Sequence, residues 1–200
     1  MRKIIVAVRQ SMDGVIEAPA GPIEDMTDGF VLAGWSTTFW DDKAAAVYDG
    51  IFGTPFDLLL GRKTYEIFAG YWPHHTEGFV IAEGIAKANK YVLTHRDDAF
   101  DWADTFRLRG MDDMKKLKAS EGRDLLVQGS ASLVPQLLAE RLIDELCIMT
   151  FPVVLGNGKR LFGSGAASGA FRLVSSEVST TGIIIANYEL SGDVPTGEKA

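Results

Sequence analysis

The passage Phe56-Asp57-Leu58-Leu59-Leu60-Gly61-Arg62-Lys63-Thr64 carries the densest chemistry in the chain: an apolar run ends at a glycine, and two cations and a hydroxyl open a helical pattern. A strand feeding a helix N-terminus aims unpaired backbone N–H groups and the positive end of the helix dipole at one spot, which suits a phosphate. Gly61 lets the backbone approach, Thr64 adds a hydroxyl, and Arg62 offers a planar fork matched to phosphate. A second passage of the same kind runs from Leu125 to Ser132, setting Gly129, Ser130, Ala131 and Ser132 between an apolar run and another helical pattern. Two such seats on one chain suit a ligand with more than one phosphate. Each seat taken alone also reads as an ordinary turn and capped helix start.

Several other chemistries are disfavoured by spacing. No Gly-x-x-x-x-Gly-Lys-[Ser/Thr] segment occurs, and Gly156-Asn157-Gly158 and Gly163-Ser164-Gly165 lack the third glycine and the strand-to-helix setting of a dinucleotide fingerprint. Ser130 and Ser132 are not embedded in G-x-S-x-G. His74, His75 and His95 show no metal spacing, and Cys147, the only cysteine, allows neither an intrachain disulfide nor a cysteine-based zinc site.

The elements that must position these groups alternate. Apolar runs predict strands at Lys3 to Val8, Phe56 to Leu60, Lys90 to Thr94, Thr105 to Leu108, Asp124 to Gln128 and Glu145 to Phe151. Between them, Trp40, Ala44, Val47, Tyr48 and Ile51 recur at helical spacing and predict a helix over Phe39 to Phe52. Further helices are expected at Lys63 to Ala69, Glu77 to Ala88, Met111 to Ala119 and Ala131 to Glu140. This alternation predicts an α/β fold with a largely parallel sheet covered on both faces. Ala170 to Val178 and Ile183 to Leu190, joined through Ser179-Thr180-Thr181-Gly182, form a hairpin signal that ends the sheet antiparallel. One domain over residues 1–190 and a frayed tail over 191–200 are expected, with a long loop from Glu17 to Thr38 of the kind that covers binding sites.

The 200 residues suffice for one buried core, and 46% hydrophobic and 24% charged residues are ordinary for a soluble globular protein. A net charge of -7 argues against a nucleic-acid partner. The apolar stretch Ile4 to Val8 is too short for a signal peptide, and no run approaches the roughly 20 apolar residues of a membrane span. With a single cysteine, the reducing cytoplasm is the expected compartment.

Five pieces occur in order: S-x-D-G-x-I from Ser11, L-L-G-R-K-T-Y-E with G-Y-W-P, V-L-T-H from Val92, L-V-Q-G-S-A-S-L, and P-V-V-L-G-N-G-K-R-L-F from Pro152. Over Lys3 to Leu190 the set resembles the dihydrofolate reductase-like family that includes the reductase domain of riboflavin biosynthesis. That resemblance implies a three-layer sandwich, NADPH as cofactor and hydride transfer to a small heterocycle of pyrimidinone or pterin type. It implies that Gly61, Arg62, Lys63 and Thr64 hold phosphates, and that Thr94, His95 and Arg96 lie at the adenosine end. By the same resemblance Gly129, Ser130, Ala131 and Ser132 sit under the pyrophosphate, and Ala7 and Ile16 face the nicotinamide.

A proton donor is expected among Asp41, Asp42 and Asp13, although the first two also read as helix-dipole acids and the third as a turn former. The arginine with which folate reductases anchor a substrate carboxylate has no counterpart between Tyr65 and Thr94. The riboflavin-pathway relative acts on a ribosylamino-pyrimidine phosphate, for which Lys159 and Arg160 are candidate contacts or plain surface charges. The zinc deaminase signature that accompanies this domain in bifunctional relatives is missing. A non-catalytic nucleotide- or ligand-binding protein on the same fold is the alternative, and a homodimer is the expected assembly.

Overall fold

Strands β1 (Ile4–Ser11), β2 (Phe56–Gly61), β3 (Lys90–Leu93), β4 (Thr105–Leu108), β5 (Asp124–Val127), β6 (Glu145–Phe151), β7 (Ala170–Val178) and β8 (Ile184–Gly192) join in one sheet of order β4-β3-β2-β5-β1-β6-β8-β7. This computed structural model describes residues 1–21, 29–78 and 80–197. The six strands from β4 to β6 are parallel, with Val6 level with Val127 on one side and with Leu146 on the other. β6, β8 and β7 pair antiparallel, as the hairpin signal predicts.

Two apolar clusters flank the sheet. Ala7, Leu58, Leu60, Leu126, Cys147 and Met149 pack on one face beneath α1 (Asp42–Gly53), α2 (Arg62–Tyr71) and α3 (Val80–Lys87). Ile4, Val6, Leu59, Leu125 and Val127 pack on the other beneath α4 (Met111–Ala119) and α5 (Leu133–Ala139). Alternate strand residues point to opposite faces, so the apolar runs Ile4 to Val8, Leu58 to Leu60 and Leu125 to Val127 are what a sheet covered on both sides requires. Every residue of β2 is buried. Where the sheet enters the core, Arg2 Nη2 meets Asp57 Oδ2 at 2.5 Å with both side chains nearly inaccessible, at 2% and 3%.

Several boundaries differ from expectation for local reasons. α1 begins at Asp42 rather than Phe39, because Asp41 caps it through Ala44 N and Thr37–Phe39 form a separate 3-10 turn. α5 begins at Leu133, because Gly129 and Ser130 hold φ of 71° and 81°, incompatible with a right-handed helix. Gly78, at φ 92°, likewise keeps α3 from starting at Glu77; Phe79 is outside the described residues.

β1 continues through Arg9 and Gln10 to Ser11, and β8 reaches Gly192, two residues into the expected tail. There Arg141 donates to Gly192 O at 2.7 Å and pairs with Asp193. The loop expected from Glu17 to Thr38 is stapled at its base: Trp35 Nε1 donates to Glu17 O at 2.8 Å and Ser36 Oγ to Pro19 O at 2.7 Å. Pro22 to Asp28, within that loop, and Glu198 to Ala200, within the expected tail, are outside the described residues.

Candidate active site

The connection leaving β2 runs through α2 and α3 to β3 on one side, whereas the connection leaving β5 runs through α5 to β6 on the other. Adjacent strands whose connections part in this way leave a crevice at their carboxyl ends, where open α/β sheets bind ligands. Gly61 ends β2 at that point and Gln128 to Ser132 follow β5. A β-carbon on Gly61 would stand 2.5 Å from Ser130 Oγ and 3.7 Å from Ser132 Oγ. The two passages read from the sequence therefore meet at this crevice.

Ser130 holds its positive φ while Leu133 N donates to both its carbonyl (3.1 Å) and its Oγ (3.3 Å), and its Oγ lies 3.3 Å from Ser132 Oγ. A non-glycine residue held in that region is strained, and such strain persists where surrounding contacts over-determine it. Across the crevice, the N-cap of α2 is Gly61, which has no side chain with which to cap it.

Lys63 and Lys159, assigned from the sequence to different ligands, come together at this mouth. Burial, then the neighbouring Lys159 cation, push the Lys63 ammonium below its usual 10.5. Glu17 balances the pair: it accepts from Lys159 N at 2.9 Å and lies 3.6 Å from Lys159 Nζ. The Glu17 and Glu66 carboxylates both act on the Lys63 ammonium in the opposite sense.

Arg62 and Arg96 are likewise joined. Glu66 Oε1 accepts from Arg62 Nε at 2.7 Å and from Arg96 Nη1 at 3.0 Å, while Arg62 Nη2 meets Asp98 at 2.5 Å. Arg62 Nη1 is buried with no partner among the described residues. Glu66 and Asp98 are nearly half exposed, at 44% and 49%, and ion pairs to partners of that exposure are worth about 0–1 kcal/mol. Thr94 is buried and accepts from Arg96 N at 3.2 Å, while exposed His95 lends its carbonyl to Arg109 Nη1 at 3.1 Å.

Ala7 and Ile16 belong to different apolar clusters. Ala7 lies in the cluster beneath α1, and Ile16 packs against the cluster on the opposite face. Two residues beyond Ala7, Arg9 places its guanidinium 4.4 Å from the Trp40 ring and 4.8 Å from the Tyr48 ring. Tyr48 Oη donates to Gln128 Oε1 at 3.1 Å, and Gln128 Nε2 is buried without a partner among the described residues.

Two of the three candidate acids accept hydrogen bonds that tie the structure together. Asp41 Oδ2 accepts from Thr180 N at 2.7 Å and Thr180 Oγ1 at 2.6 Å, which with the Ala44 N–H hold its carboxyl well below the usual carboxylate range. Asp13 accepts from Ser11 Oγ at 2.7 Å, Gly156 N at 2.9 Å and Leu155 N at 3.1 Å, which hold it at about 2. Acids held ionised have no proton to donate at neutral pH. Asp42 is exposed on the first turn of α1. Arg160, a candidate substrate contact, donates to Asp13 O at 2.9 Å and to Gly156 O at 3.3 Å, closing the same loop junction.

Arg9, Tyr48, Gln128, Glu66 and Arg109 were not among the residues expected from the sequence. Arg9 alone left a signal there, a cation interrupting an apolar strand.

The family model described as the RibD C-terminal domain matches residues 2–185. The chain belongs to the RibD C-terminal domain family. Among its relatives, uncharacterized protein YyaP of Bacillus subtilis (strain 168) is 25% identical over 199 residues, covering 96% of each chain. Uncharacterized protein YwjB of the same organism is 29% identical over 164 residues, covering 80% of this chain and 83% of its own.

Among solved structures, a putative riboflavin biosynthesis protein from Shewanella sp. PV-4 aligns with TM-score 0.69 at 20% identity, over 94% of this chain and 99% of its own. Dihydrofolate reductase from Enterococcus faecalis, complexed with NADP(H) and RAB-propyl, aligns with TM-score 0.60 at 13% identity, over 94% of this chain and 96% of its own. This RibD C-terminal domain thus has the dihydrofolate reductase-like three-layer fold.

Proposed function

We propose that the protein is an NADPH-dependent reductase that delivers a hydride to a small heterocycle of pyrimidinone or pterin type. The observation that carries the reading is the meeting of Gly61 with Ser130 at the carboxyl ends of β2 and β5. Gly61, Lys63, Thr64 and the Gly129 to Ser132 turn would hold the pyrophosphate, with Lys159 joining them. Arg62, with one buried donor lacking an acceptor among the described residues, and Arg96 would take the adenosine phosphate. A dinucleotide of this type supplies the hydride when bound; the protein's part is to orient it and exclude water. The NADP(H) complex of the E. faecalis fold relative supports the cofactor class.

One observation favours a binder without turnover: Asp13 and Asp41 are held ionised by the bonds they accept. Titration and turnover separate the readings. NADPH is expected to bind saturably, and R62A and R96A are each expected to weaken it at least tenfold while changing NADH binding little. Absence of saturable NADPH binding sinks the cofactor assignment. Saturable binding with no NADPH oxidation across pterin, pyrimidinone and simple carbonyl substrates favours the binder.

We place the protein in the cytoplasm on its single buried cysteine; among the described residues no helix is long and apolar enough to cross a membrane. Leu173, Val174, Val178 and Ile184, each at least half exposed on the outer hairpin, support pairing of two copies, which sedimentation checks.

A further inference from the structure

The Arg9 cluster is left unused by the cofactor reading. Ala7 and Arg9 share one face of β1, and a strand repeat of two residues carries Arg9 roughly 7 Å toward the carboxyl ends. The Trp40 and Tyr48 rings meet edge to face at 5.2 Å and 86°, so their faces turn at a right angle and both border the guanidinium. Only one Arg9 hydrogen bond is found among the described residues, a long one of 3.3 Å from Nη1 to Ser36 Oγ, and no described carboxylate pairs with it. Arg9 is thus a partly buried cation that makes a single hydrogen bond among the described residues, in a chain of net charge -7.

The neighbouring groups share this imbalance. Gln128 Oε1 accepts from Tyr48 Oη, and its buried amide nitrogen has no acceptor among the described residues. Gln128 also directly precedes the Gly129-Ser130 wall of the crevice. Donors without acceptors, bordered by flat aromatic faces beside the crevice, describe the complement of a flat, acceptor-rich anion.

We infer that Arg9 and Gln128, framed by Trp40 and Tyr48, receive the molecule to be reduced, and that it is a planar heterocycle bearing a carboxylate or an equivalent ring anion. The Arg9 fork takes the anionic group and the Gln128 amide takes a ring carbonyl. This rests on the reductase reading for the word reduced, but not for the binding site itself.

The test uses the full chain without cofactor and follows tryptophan emission, with orotate and pterin-6-carboxylate as carboxylate probes and uracil and pterin as neutral counterparts. At least one carboxylate is expected to bind tenfold or more tighter than its counterpart. R9M is expected to abolish that preference and leave the neutral probe within twofold, with folding checked by circular dichroism. If R9M does not fold, R9K replaces it: it keeps the charge, loses the planar fork, and is expected to weaken the carboxylate several-fold. Carboxylates binding no tighter than their neutral counterparts, or a preference that survives R9M and R9K, overturns the inference. A parallel NADPH titration of the unaltered protein keeps the two readings apart: failure there with the Arg9-dependent preference intact removes the reductase and leaves the anion site standing.

Discussion

Gly61 and Ser130, distant in the chain, stand so close that a β-carbon on the glycine would lie 2.5 Å from the serine Oγ. The contact joins the end of β2 to the turn after β5 across the point where the two connections part. Only a residue without a side chain leaves this crevice open, which is why a phosphate reading of either segment gains force from the other. G61A is expected to weaken NADPH at least tenfold by pushing Ser130 into the crevice. S130A removes the obstructing oxygen, so G61A/S130A is expected to recover part of the loss in a titration. Equal affinity of G61A and the unaltered protein would show that the walls do not meet around the ligand.

Asp13 bears on acid stability rather than on proton transfer. Its carboxyl is lowered from 3.8 to about 2, first by Ser11 Oγ and then by the Leu155 and Gly156 N–H groups. A carboxyl depressed on folding stabilises the native state above its unfolded value and loses that contribution as pH falls through its folded value. D13N is therefore expected to cost about 1–2 kcal/mol near neutrality, with the difference shrinking between about pH 4 and pH 2. Urea denaturation across that range measures it. A difference independent of pH would assign the cost to shape instead of charge.

What was legible in the sequence follows from what is local. The apolar runs of β2 and β6 and the Ser179 to Gly182 turn announce themselves, because burial on both faces and hairpin chemistry are written in adjacent residues. The start of α5 was not legible, since the positive φ of Ser130 belongs to a contact with Gly61 and to no periodicity. Arg9 falls one residue beyond the predicted strand Lys3 to Val8. Continuing the alternation from Ala7 shows that it faces α1, where two aromatic rings border it. Asp13 and Gly156 are joined by a bond spanning 143 residues, which only the fold discloses.

Gly158 tests the junction that Asp13 closes. At φ 118° its β-carbon would fall 2.6 Å from Val15 Cγ1 and 3.1 Å from the Phe30 ring, both buried. G158A adds backbone strain to overpacking and is expected to cost about 2–4 kcal/mol in urea denaturation. G163A is the control: nothing lies within 4 Å of its β-carbon, and its expected change is within about 0.5 kcal/mol. Equal stability of the two variants would show that the loop relaxes around a methyl group.

The buried pair of Arg2 and Asp57 sets the register between the N-terminus and β2. Arg2 Nη2 meets Asp57 Oδ2 and Arg2 Nε donates to Arg123 O, each at 2.5 Å, while Asp57 Oδ1 accepts from Asn89 N at 3.0 Å. Removing one member leaves an uncompensated charge away from water, so R2M is expected to cost about 3–5 kcal/mol. Total stability is of order 5–15 kcal/mol for a domain, and the loss is therefore a large share of it. D57N keeps an acceptor for Asn89 N but removes the charge, so R2M/D57N is expected to be more stable than R2M alone. A double-mutant cycle in urea measures the coupling. Strictly additive losses would mean that Arg2 acts through its packing on Tyr91, 5.1 Å from the ring centre, and not through its charge.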